Sequence, residues 1–97
     1  MTREEQGTGA GEPPGAPVLH VIEKSPSLPA RLRRIFTPLG YCIRSSRSRD
    51  AGLARVAREP PDILILGPSL ETEDLDSITA WFHQHPDLGK VLLLPFT

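Results

Sequence analysis

Two short stretches, Asp62-Ile63-Leu64-Ile65-Leu66 and Val91-Leu92-Leu93-Leu94, are apolar almost without interruption and without alternation. A strand with one wet face alternates apolar and polar residues. A strand apolar at successive positions is covered on both faces, as in parallel sheets with helices on either side. Parallel neighbours in turn need crossover segments long enough to hold a helix.

The chain supplies such segments. Val18-Leu19-His20-Val21-Ile22 reads as a first buried strand, closed by the turn Glu23-Lys24-Ser25-Pro26. Leu28, Leu32, Ile35, Phe36 and Leu39 then fall on one stripe of a helix. Ser27 is placed to cap it, Pro29 sits in its first turn, and Gly40 ends it. Tyr41-Cys42-Ile43-Arg44 forms a short second strand. A second helix, capped by Ser48 or Asp50, turns Leu53, Val56 and Ala57 inward and stops at Pro60-Pro61. After the strand ending at Leu66 and a Gly67-Pro68-Ser69 loop, a third helix from about Leu75 to His85 buries Leu75, Ile78 and Phe82. Val91 to Leu94 is the fourth strand. The order β-α-β-α-β-α-β calls for a parallel sheet with right-handed crossovers, helices on both faces, and a site at the carboxyl ends of the strands.

Residues 1–17 are rich in glycine, proline and glutamate and read as a flexible tail, leaving 18–97 as the folded domain. Gly9 and Gly11 make no dinucleotide loop, because Pro14 stands where the third glycine belongs. The 97-residue chain carries a formal net charge of -1, so neither nucleic acid nor a membrane surface is expected as a partner. No apolar run approaches the roughly 20 residues of a membrane span, and no signal core begins the chain. Cys42 has no second cysteine to pair with, which fits a cytoplasmic setting. The charges are segregated, however. Eight arginines and one acid lie between Arg31 and Arg58, and seven acids with no Lys or Arg lie between Glu59 and Asp87. Arg44, Arg47, Arg49, Arg55 and Arg58 are the candidate partner-docking residues on this ground.

The three pieces Val18 to Lys24, Pro61 to Leu70 and His85 to Leu94 together resemble the receiver domain of two-component response regulators. The resemblance covers Val18 to Thr97, four of that family's five β/α units. It implies a flavodoxin-like doubly wound parallel sheet, here truncated to about four strands and three helices. It also implies which residues should carry chemistry, and here they are missing. The phosphoacceptor aspartate at the end of the third strand falls on Gly67. The two magnesium-binding acids after the first strand fall on Ile22 and Glu23, leaving one carboxylate where the ion wants several oxygens. The hydroxyl residue ending the fourth strand falls near Pro95, with Thr97 two places late, and the lysine after a fifth strand has no counterpart.

The implied protein is a pseudo-receiver: not an enzyme, with no cofactor and no metal site, Glu23 being a weak remnant. It would bind a protein partner or a second copy of itself, the open edge of strand 91–94 being one candidate surface. A second resemblance, carried by Leu66-Gly67-Pro68, is to the receiver-like localisation domains that precede P-loop ATPases of pilus assembly. A third reading keeps phosphorylation and moves the acceptor to Glu71 or Asp74. Other motifs lead nowhere: Gly89-Lys90 lacks the rest of a phosphate loop, and His83 and His85 stand two apart, where helical side chains diverge. The serines Ser45, Ser46 and Ser48 among arginines resemble a kinase target no more than any loop of that composition.

Overall fold

Strand β1 (Val18–Ile22) runs through the middle of the sheet, and its alternate side chains open two separate cores. Leu19 and Val21 point to one face, where they meet Leu28 and Leu32 of α1 (Ser27–Phe36) and Ile65 of β3 (Ile63–Leu66). Ile22 points to the other, where Leu64 and Leu66 of β3 join Leu53 and Val56 of α2 (Arg49–Arg58) and Ile78 of α3 (Thr72–His83). Helix α1 therefore covers one face and α2 with α3 the opposite one. The computed structural model describes residues 15–95. The tail reading for 1–17, the rejected glycine motif at Gly9 and Gly11, and Thr97 fall wholly or largely outside them.

The remaining strands are β2 (Cys42–Ser46) and β4 (Leu92–Pro95), and all four strands are parallel in the order β2-β1-β3-β4. This is the order of the first four strands of a flavodoxin-like doubly wound sheet. The β1–β3 pair is clasped at its start by Asp62, whose carboxylate accepts the Val18 N–H at 2.7 Å.

Several boundaries depart from expectation, each for a local reason. Pro26 rather than Ser27 occupies the N-cap of α1, and Ser27 is already helical. The last turn of that segment tightens into a 3-10 turn, Thr37–Leu39, before Gly40 takes the left-handed conformation at φ 94°. Beyond the reach of the sheet, Ile35 and Leu39 are 50% and 66% exposed instead of lying in the core. Ser48 caps α2, its hydroxyl accepting the Ala51 N–H at 3.2 Å, and Ala57 faces solvent rather than the core. Strand β2 begins at Cys42 and continues through Ser45 and Ser46, polar residues that an edge strand tolerates. Helix α3 begins at Thr72, a turn earlier than its apolar residues, because Asp74 reaches back to the Glu71 N–H at 3.2 Å. Strand β4 was expected to be buried. Instead Leu92 and Leu94 are 53% and 41% exposed, because α1 lies over the far side of the same face.

Candidate functional site

At the carboxyl ends of β1 and β3 the backbone ladder extends one residue past each strand. Glu23 N–H donates to the Ser46 carbonyl and Gly67 N–H to the Ile22 carbonyl, both at 2.9 Å. This brings Glu23 and Gly67 side by side at the point where the sheet order reverses, the place where such folds bind ligands. The Glu23 side chain does not reach into solvent: it is 3% exposed. Its Oε1 accepts the Ser69 hydroxyl at 2.6 Å and the Ser69 N–H at 3.1 Å. Ser69 Oγ in turn accepts the Lys24 N–H at 3.1 Å. The carboxylate lies over the Gly67 α-carbon so closely that a β-carbon there would stand 2.1 Å from Oε1 and 2.7 Å from Cβ of Glu23. The volume in which a side chain at 67 would present a nucleophile is thus filled by the neighbouring carboxylate, tied off by Ser69.

Beside this plug is a cleft of about 150 Å³ lined by Lys24, Ser48, Arg49, Asp50 and Asp74. Arg49 ties its two acids together. Its Nε donates to Asp50 at 3.1 Å, and its Nη1 lies 3.5 Å from Asp74 and 3.2 Å from the Ser77 hydroxyl. The hydrogen bond to Asp50, with the charges of both aspartates, raises the Arg49 pKa further above its ordinary value. A guanidinium stands between the two carboxylates that could otherwise have approached a cation. Of the acids that follow the third strand, Asp74 alone lines this cleft, while Glu71, Glu73 and Asp76 are exposed around the start of α3. Among the described residues no three His, Cys, Asp or Glu side chains converge on a common point.

The arginine series does not form one free basic face. Arg44 and Arg55 converge on Glu59 at the far end of α2, Arg44 through Nη1 and Arg55 through Nε at 3.0 Å. The Arg55 hydrogen bond, with the Arg44 charge, holds the Glu59 carboxyl below its ordinary pKa. Arg47 donates to the Lys24 carbonyl at 3.3 Å, and Arg49 and Arg58 stand at opposite ends of the helix. Three arginines of the basic segment thus meet two acids of the acidic one, Arg44 and Arg55 at Glu59 and Arg49 at Asp74.

His20 escaped the sequence reading, which treated it as one more residue of an apolar run. It is fully buried on the α2 side of β1, with Nε2 2.8 Å from the Ser46 hydroxyl and Nδ1 without a hydrogen-bond partner among the described residues. Burial above all, with help from the charges of Arg55 and Arg44, pushes its pKa down to about 4 against the opposing pull of Glu59. The only signal in the sequence was a titratable residue at the centre of a strand.

No protein-family model matches the chain, and no curated protein matches it. Among the described residues no helix is long and apolar enough to cross a membrane.

Proposed function

We propose that the chain is a phosphorylation-independent, receiver-like interaction module of a bacterial-type two-component or related regulatory pathway. It works in the cytoplasm by binding protein rather than by catalysis. The observation that carries this reading is the plug at the sheet mouth. Gly67 offers no nucleophile, and the Glu23 carboxylate, held by Ser69, fills the space in front of it. Phosphoryl transfer to this position would need an acceptor oxygen and a metal shell. The residues present supply neither, and the two aspartates of the adjoining cleft are engaged by Arg49.

The test is incubation of the chain with acetyl phosphate and magnesium, and separately with beryllofluoride, read by intact mass and amide NMR. The expected result is no mass adduct and no shift at Glu23, Gly67 or Ser69. A stable single adduct overturns the reading and moves attention to Asp74.

A second reading rests on Gly67-Pro68 immediately after β3. In it the same non-catalytic fold localises a P-loop ATPase of pilus assembly. A P-loop encoded downstream in the full gene selects this reading; a kinase, DNA-binding or cyclase domain selects the first.

A further inference from the structure

Strand β2 is the edge of the sheet opposite β4, and its backbone groups are divided between two sides. Cys42 N–H donates to the Pro17 carbonyl at 2.8 Å, and the Ser46 carbonyl accepts the Glu23 N–H at 2.9 Å. Alternate residues of a strand bond to the same neighbour, so Cys42, Arg44 and Ser46 face β1. The N–H and C=O groups of Ile43 and Ser45 point away from it, and no described residue pairs with them. Water reaches this edge: Ile43, Arg44, Ser45 and Ser46 are partly exposed, whereas Leu19 to Ile22 of β1 are buried. A row of unpaired backbone groups is a template for one more strand. The side chains around it are cationic. Arg33 of α1 donates to the Ser45 hydroxyl at 3.2 Å, Arg44 lies on the opposite face of the strand, and Arg47 follows its end, with Nε on the Lys24 carbonyl at 3.3 Å.

Extending the reading of the chain as a protein-binding module, we infer that the β2 edge takes up an extended, acidic segment of a partner protein as an added strand. Charge decides between occupants. From Lys24 to Arg49, the stretch that contains α1 and β2, the sequence holds no acidic residue. Lys24, Arg33 and Arg47 are exposed and have no carboxylate partner among the described residues, whereas Arg44 is matched by Glu59. The edge is therefore positive and uncompensated at Arg33 and Arg47. An antiparallel pairing with β2 of a second copy would run Arg44 and Arg47 along their own counterparts, with two Arg33 side chains close by. Like charges set opposite each other across strands are destabilising. Residues 1–14 are poor strand formers: they hold Gly7, Gly9, Gly11, Pro13 and Pro14, with Thr2 and Thr8 their only β-branched residues. A separate acidic strand satisfies both demands. Its backbone pairs with Ile43 and Ser45, and its carboxylates meet Arg33 and Arg47. The arginines that repel a second copy thus select this occupant.

The test uses the 97-residue chain and a synthetic peptide of ~8 residues in which glutamate and valine alternate, long enough to pass the whole of β2. One control peptide replaces the glutamates by lysines. Another carries N-methyl groups on two adjacent central residues, which removes a backbone donor from each of its edges. Binding is measured by calorimetry, and amide exchange by NMR. The glutamate peptide should bind roughly tenfold more tightly than the lysine peptide. It should protect the Ile43 and Ser45 amides, which exchange fast in the free chain, and leave the Arg44 amide, which faces β1, as it was. The methylated peptide should not bind. Arg33→Glu with Arg47→Glu, both at exposed positions, should invert the charge preference while the spectrum stays folded. Equal affinity for the two charged peptides would overturn the inference, as would undiminished binding of the methylated one. So would Ile43 and Ser45 amides already slow in the free chain, whether sedimentation then shows a dimer or a monomer, or binding of single-stranded DNA but not of the peptide. Absence of peptide binding with no phosphoryl adduct removes this edge and leaves the module reading standing. A phosphoryl adduct removes the module reading, and the peptides alone then decide for the edge.

Discussion

Gly52 of α2 rests directly on Ile22 of β1: a β-carbon on Gly52 would lie 2.4 Å from Cδ1 and 2.5 Å from Cγ1 of that side chain. Ile22 is fully buried and has nowhere to go. The contact sets how closely the helix approaches the sheet. It also makes Gly52→Ala a case where two effects of known size oppose. Alanine in a helix interior is favoured over glycine by about 1 kcal/mol. Overpacking a closed core costs about 1–3 kcal/mol. The second effect wins, and the urea midpoint of Gly52→Ala should fall below that of the parent chain.

Gly67→Ala meets a similar obstacle at the sheet mouth, now made of a carboxylate as well as carbon. It should cost about 1–3 kcal/mol. Glu23→Ala in the same chain removes Oε1 and Cδ but leaves Cβ, so the double variant should recover part of that loss. A double-mutant cycle by chemical denaturation measures the coupling. A coupling energy of zero would mean that the two residues do not share this space.

The acid dependence of stability follows from His20. Its folded pKa is about 4 against an ordinary 6.5, so below pH about 6.5 the unfolded chain takes up a proton that the folded chain refuses. Stability is therefore full above pH about 6.5 and declines as pH falls to about 4, by about 3 kcal/mol in total. His20→Leu has no such proton to take up on unfolding, and its stability should be flatter across that window. Denaturation at a series of pH values compares the two slopes; parallel curves would show that His20 is not their source.

Glu59 links this histidine to the surface. It is the one neighbour that raises the His20 pKa, while Arg55 and Arg44 lower it. Glu59→Gln should therefore depress the histidine pKa further, as followed by the His20 ring signals in an NMR titration. The direct cost in stability should be small, since the ion pairs are half-exposed and screened by solvent.

The element order was legible because unalternated runs such as Ile63 to Leu66 and the periodic apolar residues of α1 and α2 are local signals. What stayed illegible depends on residues distant in sequence. Periodicity placed Ile35 and Leu39 on the apolar stripe of α1, but not how far the sheet extends beneath them. Gly67 was visible as a missing nucleophile. That Glu23 folds over it, instead of facing water, depends on Ser69 presenting two donors at that one spot. The arginine cluster read as a docking face because sequence lists charges in order, and its partners Glu59 and Asp74 arrive through the fold.

The two polar clasps on the β1–β3 pair join residues 44 apart at Val18–Asp62 and 46 apart at Glu23–Ser69. Strand β1 is thus central in the sheet, with one of its two neighbours encoded more than forty residues later. Contacts of such separation slow folding, because the entropy of closing the loop is lost before the pairing is gained. A truncation series followed by circular dichroism should show no gradual build-up of structure. Chains ending short of Ser69 should remain unfolded, since β1 in them still lacks the strand and the serine that hold it.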